Sequence, residues 1–192
     1  MKKFKLAAFG ALLTCALVAC FGLAACSSGP SDEEVIKGGI SDTLDQVKKL
    51  DDATLDEMID AASSELSGLD AMSIDYKDLF KTVFNGFDYQ IDAVEVDGDA
   101  AKADLTITAK SFTDAEAKAE EITAKWLEEA DDSVADMTED QINAKVGELV
   151  MQAISETDPK DTTVKATFTK DGDEWSCDDD LISKVVDEAF YA

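Results

Sequence analysis

Residues 87–110, FDYQIDAVEVDGDAAKADLTITAK, decide the fold class. Phe87, Tyr89 and Ile91 share one face of an extended chain, and Ala101, Ala103, Leu105, Ile107 and Ala109 share one face of the next. That period of two belongs to half-buried strands. Asp97-Gly98-Asp99 joins the two runs, and Asp-Gly is a strong hairpin signal because glycine takes a positive φ without steric cost. The plan recurs near the end, where Val164, Ala166 and Phe168 alternate into Lys170-Asp171-Gly172-Asp173-Glu174-Trp175. Two hairpins of this kind predict an α+β fold: a four-stranded antiparallel sheet packed against helices.

The flanking segments read as those helices. Val35, Ile36, Ile40, Leu44 and Val47 recur at helical spacing, and Gly38-Gly39 is expected to delay that helix until a Ser41 cap. Leu55, Met58, Ile59, Ala62 and Leu66 predict a second helix, and Leu79, Phe80, Val83 and Phe84 a third after Ser73. A helical pair separates the two hairpins. Its first member is expected to start at a Thr113 cap, with Ala115, Ala119, Ile122, Trp126 and Ala130 as its stripe. Its second opens at Thr138-Glu139-Asp140-Gln141, a capping box, and carries Ile142, Val146, Leu149, Val150, Ala153 and Ile154 on one face. Asp178 to Asp180 start a terminal helix with Leu181, Ile182, Val185, Val186, Ala189 and Phe190 buried.

The N-terminus has a different logic. Lys2, Lys3 and Lys5 precede an apolar run that ends in Leu23-Ala24-Ala25-Cys26. A basic start, a hydrophobic stretch and small residues before a cleavage point make a secretory signal, and cysteine directly after Leu-Ala-Ala resembles the lipobox of bacterial lipoproteins. The resemblance implies a signal peptide over 1–25, a lipidated Cys26 with a short tether over 26–31, and a single domain over 32–192. Leu17-Val18-Ala19-Cys20 fits the same pattern, but cleavage there leaves an apolar tether, whereas Cys26 is followed by Ser27-Ser28-Gly29-Pro30-Ser31. An uncleaved membrane helix over Leu6 to Ala25 is the alternative, with the same exported side.

Composition bounds the partners. The chain has 43 acidic and 17 basic residues, and losing Lys2, Lys3 and Lys5 takes the net charge from -26 to -29. Such a chain is no partner for nucleic acid, which needs clustered basic residues. It has no arginine and no histidine. Bidentate phosphate recognition, Ser-His-Asp and Cys-His catalysis and His-containing zinc sites are therefore excluded within it. Cys15 and Cys20 leave with the signal and Cys26 carries lipid, so Cys177 is a lone thiol. Its alternation with Trp175 places it on the tryptophan's strand face, as a packing residue.

Acid clusters are the remaining candidates for chemistry. Asp97/Asp99 and Asp171/Asp173 offer oxygen ligands to calcium, but they match no EF-hand spacing and serve as turn residues. Glu128, Glu129, Asp131, Asp132 and Asp136 form a denser patch whose default reading is a solvated loop. Tyr89, Trp126, Phe168 and Trp175 are the candidate lining of a ligand pocket between sheet and helices, although each also lies on the apolar face of its own element.

The wording of the hairpins, Phe87-Asp88-Tyr89-Gln90-Ile91 through Val96-Asp97-Gly98-Asp99-Ala100-Ala101 and then Lys170 to Trp175, resembles small Gram-positive lipoproteins whose domain is cystatin-like or NTF2-like and of unknown function. The likeness covers about Tyr76 to the C-terminus; it implies a fold and no mechanism. The expected protein is a lipid-anchored, non-enzymatic module on the extracytoplasmic face of the cell membrane, without cofactor or metal. Its expected role is to carry or sense a small ligand. The alternatives are an acidic module that binds a basic protein partner and, third, a carboxylate hydrolase.

Overall fold

The computed structural model describes residues 30–61, 66–130, 134 and 136–192. Cys26 and the signal segment lie outside the described residues. The elements are α1 (Asp32–Lys49), α2 (Asp52–Ala61), a 3-10 segment (Ser67–Met72), α3 (Tyr76–Val83), β1 (Asp88–Asp97), β2 (Ala100–Lys110), α4 (Phe112–Glu129), α5 (Glu139–Glu156), β3 (Pro159–Asp171), β4 (Glu174–Cys177) and α6 (Leu181–Val185). α6 runs on into a π turn, Val186–Phe190.

The sheet is four-stranded and antiparallel, in the order β1-β2-β3-β4. Gly98 and Gly172 hold φ of 62° and 64° at its two hairpin turns, the region glycine enters freely. β2 and β3 are the inner strands. Ala101, Ala103, Leu105, Ile107 and Ala109 of β2 are 0–4% exposed, and Val164, Ala166 and Phe168 beside them on β3 are 0–1% exposed. Lys102, Asp104, Thr106 and Thr108 alternate with these residues toward solvent. The helices therefore cover one face.

β1 departs from simple alternation. Its register slips between Ile91 and Ala93, a bulge in which Asp92 is the extra residue. Asp92 is held by Thr106 Oγ1 at 2.7 Å and Gln90 Nε2 at 2.6 Å. Beyond it Val94 and Val96 stand opposite the buried Ala103 and Ala101, while Ala93 and Glu95 move to the other face.

Two helix starts differ from the sequence expectation. α1 does not wait for Ser41; it begins at Asp32 and passes through Gly38-Gly39. Ser31 Oγ accepts from Glu34 N at 3.3 Å and Glu34 Oε2 accepts from Ser31 N at 2.8 Å, a complete capping box. Each interior glycine costs roughly 1 kcal/mol against alanine. Burial of Ile36, Ile40, Leu44 and Val47 to 0–3% returns about 1.5–3 kcal/mol each and outweighs that. α4 starts at a Ser111 cap, not Thr113: Ser111 Oγ accepts from Asp114 N at 3.3 Å. The earlier start buries Phe112, whose ring lies 5.4 Å from that of Phe190.

Ala62 of the second predicted helix lies outside the described residues, and Leu66 precedes the 3-10 segment. α3 follows Ser73 as expected, capped by Asp75. The Thr138 capping box of α5 forms as read, with Thr138 Oγ1 accepting from Gln141 N at 3.3 Å. All six apolar residues expected of the terminal helix are buried.

α1 lies against β1, and α6 with its π turn lies against β2 and β3. Phe190 seals the end of this layer, its ring 5.5 Å from Phe84 and 6.2 Å from Phe87. The 3-10 segment and α3 form the seat for α5, α2 packs on α3, and α4 packs mainly on α5.

Candidate functional site

The four aromatic residues singled out in the sequence occupy three different environments. Phe168 and Trp175 are 1% and 2% exposed within the continuous core, on the same face of adjacent strands at the hairpin-turn end of the sheet. Tyr89 is half-buried beneath α1, and its hydroxyl donates to Asp45 Oδ1 at 2.8 Å. Register places it level with Ile107 and Thr162. Six residue steps along β3 take Thr162 to Phe168, about 20 Å along a strand. Trp126 sits half-buried on α4. The structure brings Phe168 and Trp175 together and sets Tyr89 and Trp126 apart from them.

Trp175 has a clear local role. Its indole Nε1 donates to Asp32 Oδ1 at 3.0 Å, the Lys170 ammonium reaches the same oxygen at 2.8 Å, and the ammonium lies 5.5 Å from the centre of the Trp175 ring. The Lys170 hydrogen bond first, and the Trp175 bond second, hold the Asp32 carboxyl below the usual range. The first turn of α1 is thereby locked to the second hairpin. No sequence signal announces this pairing, because its partners are 143 residues apart.

Cys177 is half-buried. Burial, reinforced by the neighbouring Asp178, Asp179 and Asp180, pushes its thiol up to about 11, which keeps it protonated and unreactive near neutral pH. Among the described residues no three acidic or thiol side chains converge as a metal site. Lys110, 4% exposed, caps the C-terminal end of α5 by donating to Ile154 O at 2.7 Å and Ser155 O at 3.1 Å. Burial lowers its pKa.

Two surfaces remain. On the solvent face of the sheet, Glu95, Lys102, Asp104, Lys165 and Thr167 border an open depression of about 310 Å³, crossed by a Lys165–Asp104 ion pair of 2.9 Å. The second surface is the outer part of the helical pair. Phe112 and Ala115 are the buried residues of α4, and the buried residues of α5 start at Gly147. An ideal Cβ on Gly147 would lie 2.2 Å from the Met72 carbonyl oxygen, so α5 sits directly on the backbone of the 3-10 segment. Beyond that crossing the pair extends as an arm. Leu127 is 46% exposed there and Ile142 37%. Leu127 was findable in the sequence, since it falls off the Ala115-to-Ala130 stripe.

No known protein family matches the sequence, and no curated protein matches it. Among solved structures the chain is similar to a proposed lipoprotein, ycdA, of Bacillus subtilis, at 15% identity and a TM-score of 0.42. The match covers 79% of this chain and 47% of the other, so the chain spans about half the length of that relative. A likeness of this size carries no argument about activity. No described helix is long and apolar enough to cross a membrane.

Proposed function

We propose that the chain is a lipid-anchored module on the extracytoplasmic face of the cell membrane, held through Cys26, that binds a basic protein partner through its acidic surface and performs no covalent chemistry. The observation that carries the choice of a protein partner over a small ligand is the packing of Phe168 and Trp175. These aromatic side chains, which a pocket between sheet and helices would have used, are already filled in by core neighbours. The mature surface, at a net charge of -29, then dominates recognition, and a field of that sign favours and steers a basic partner.

The Asp32 lock supports a defined orientation. A tether from Ser27 to Ser31 reaches at most about 18 Å, and α1 begins at its end, fixed to the second hairpin. The hairpin-turn end would then face the bilayer, and the end where α4 and α5 meet the sheet would face away from it.

The experiment is recovery of partners by the anchored chain from membrane extracts across a salt series, together with mass analysis of the N-terminal peptide. The reading expects acyl chains on Cys26, absent in Cys26→Ser and retained in Cys20→Ser. It also expects partners that elute steeply as salt rises. Capture indifferent to salt, or an unmodified Cys26, overturns it. The carrier or sensor reading keeps one specific support, the depression beside Lys102 and Lys165, and predicts a small polar ligand that co-purifies. The hairpins' resemblance to cystatin-like and NTF2-like domains adds nothing to either reading.

A further inference from the structure

We infer that the outer ends of α4 and α5 are the docking surface, and that they receive a basic amphipathic helix of the partner; the inference rests on the function proposed above and assigns it a place. Beyond Ala115 on α4 and before Gly147 on α5, no described residue is buried, so the body of the domain does not cover this arm. Counting outward from the connecting loop sets Trp126 of α4 level with Ile142 of α5. Trp126 is half-buried and Leu127 and Ile142 are exposed, and a tryptophan that the domain leaves partly uncovered is a common interface anchor.

The charge around the patch selects the occupant. Among the described residues from 120 to 144, seven are acidic and one is a lysine. That lysine, Lys125, lies 3.9 Å from Glu129. Among the described residues Glu128, Asp136, Glu139 and Asp140 have no lysine partner. Two helices side by side present a groove that accepts a third helix by its apolar stripe, and the acidic rims match Lys or Arg flanking that stripe. A second copy of this chain brings the same negative charge, and an anionic lipid surface does too.

The test uses the full chain in phosphatidylcholine nanodiscs and an 18-residue Leu/Lys peptide with leucines at helical spacing. Trp175 is 2% exposed, so a blue shift in tryptophan emission reports Trp126. The expected result is a saturable blue shift that Trp126→Phe abolishes and that roughly tenfold more salt weakens by about an order of magnitude. Leu127→Ser with Ile142→Ser weakens binding about tenfold. Val96→Ser, at another exposed apolar site with 38% exposure, leaves it within about twofold. Both exposed-site variants keep the parent circular dichroism, which separates lost docking from lost folding. Full affinity in the double variant overturns the arm as the site while leaving the acidic-module reading standing. Salt-insensitive binding, or no binding at low salt, overturns both. A blue shift with phosphatidylglycerol vesicles and none with the peptide overturns the occupant.

Discussion

Replacing Gly147 by alanine adds one methyl group where α5 crosses the 3-10 segment, and the structure fixes what that methyl meets. It would lie 2.2 Å from the Met72 carbonyl oxygen, 3.0 Å from Met72 Cβ and 3.1 Å from the Met72 carbonyl carbon. The nearest obstacle is backbone, which has no rotamer to escape into. Overpacking of this kind costs roughly 1–3 kcal/mol, and a backbone obstacle puts it at the upper end. Alanine's better helix propensity offsets about 1 kcal/mol, leaving a net loss of about 1–2 kcal/mol. For a domain of about 160 residues that lowers Tm by roughly 2–8 °C. Gly38→Ala is the internal control: the same helix-interior change, exposed, with nothing within 4 Å of the new Cβ. It should stabilise by about 0.5–1 kcal/mol. Thermal and urea unfolding of both variants reads the difference. If Gly147→Ala stabilises as much as Gly38→Ala, α5 is not seated on Met72 and the root of the arm is wrong.

Three further outcomes follow from individual groups. Asp32 is held below the usual carboxylate range, so its stabilisation is complete above about pH 4 and lost as pH falls through the depressed value; Asp32→Asn should cost at most about 1 kcal/mol at neutral pH, because the pair is partly exposed, and its stability should converge with the parent's as the pH falls below that depressed value. Tyr76, bonded to Asp70 and to Leu66 O, has its phenol pushed up to about 12, first by the Asp70 hydrogen bond and then by burial; the stabilisation it brings is fully present below about pH 10 and is lost as pH rises through about 12, and ultraviolet titration of Tyr76→Phe should lack the latest tyrosine step. With its thiol pushed up to about 11, Cys177 should label at pH 8 about two orders of magnitude more slowly than an unperturbed thiol; mass analysis showing comparable rates would contradict the assigned burial.

What the sequence made legible was local. Alternation at Ala101 through Ala109, glycine at both hairpin turns, and the Thr138 capping box each depend on neighbours within a few residues, and each formed as read. The Ser31 box lay in plain view but competed with a glycine pair, and burial of Ile36 and Ile40 decided between them. The bulge at Asp92 left a period signal that Tyr89 and Ile91 alone do not show: the apolar positions change phase from Tyr89 and Ile91 to Val94 and Val96, which a regular strand would place on opposite faces. Asp32 with Trp175, Gly147 with Met72, and Lys110 with the end of α5 are contacts between distant segments, set by how elements stack. The division of the four aromatics had the same origin: periodicity placed each on an apolar face but said nothing of which faces meet. Leu127 shows the converse, an apolar residue off the stripe whose exposure the helix period already implied.

The most direct measurement is native mass spectrometry of the lipidated full chain, purified gently from a producing cell and sprayed at low and then high ammonium acetate. The expected spectrum holds a protein companion at low salt that is released at high salt, and no small-molecule adduct. A discrete small-molecule mass that persists through both conditions would contradict it and restore the carrier reading.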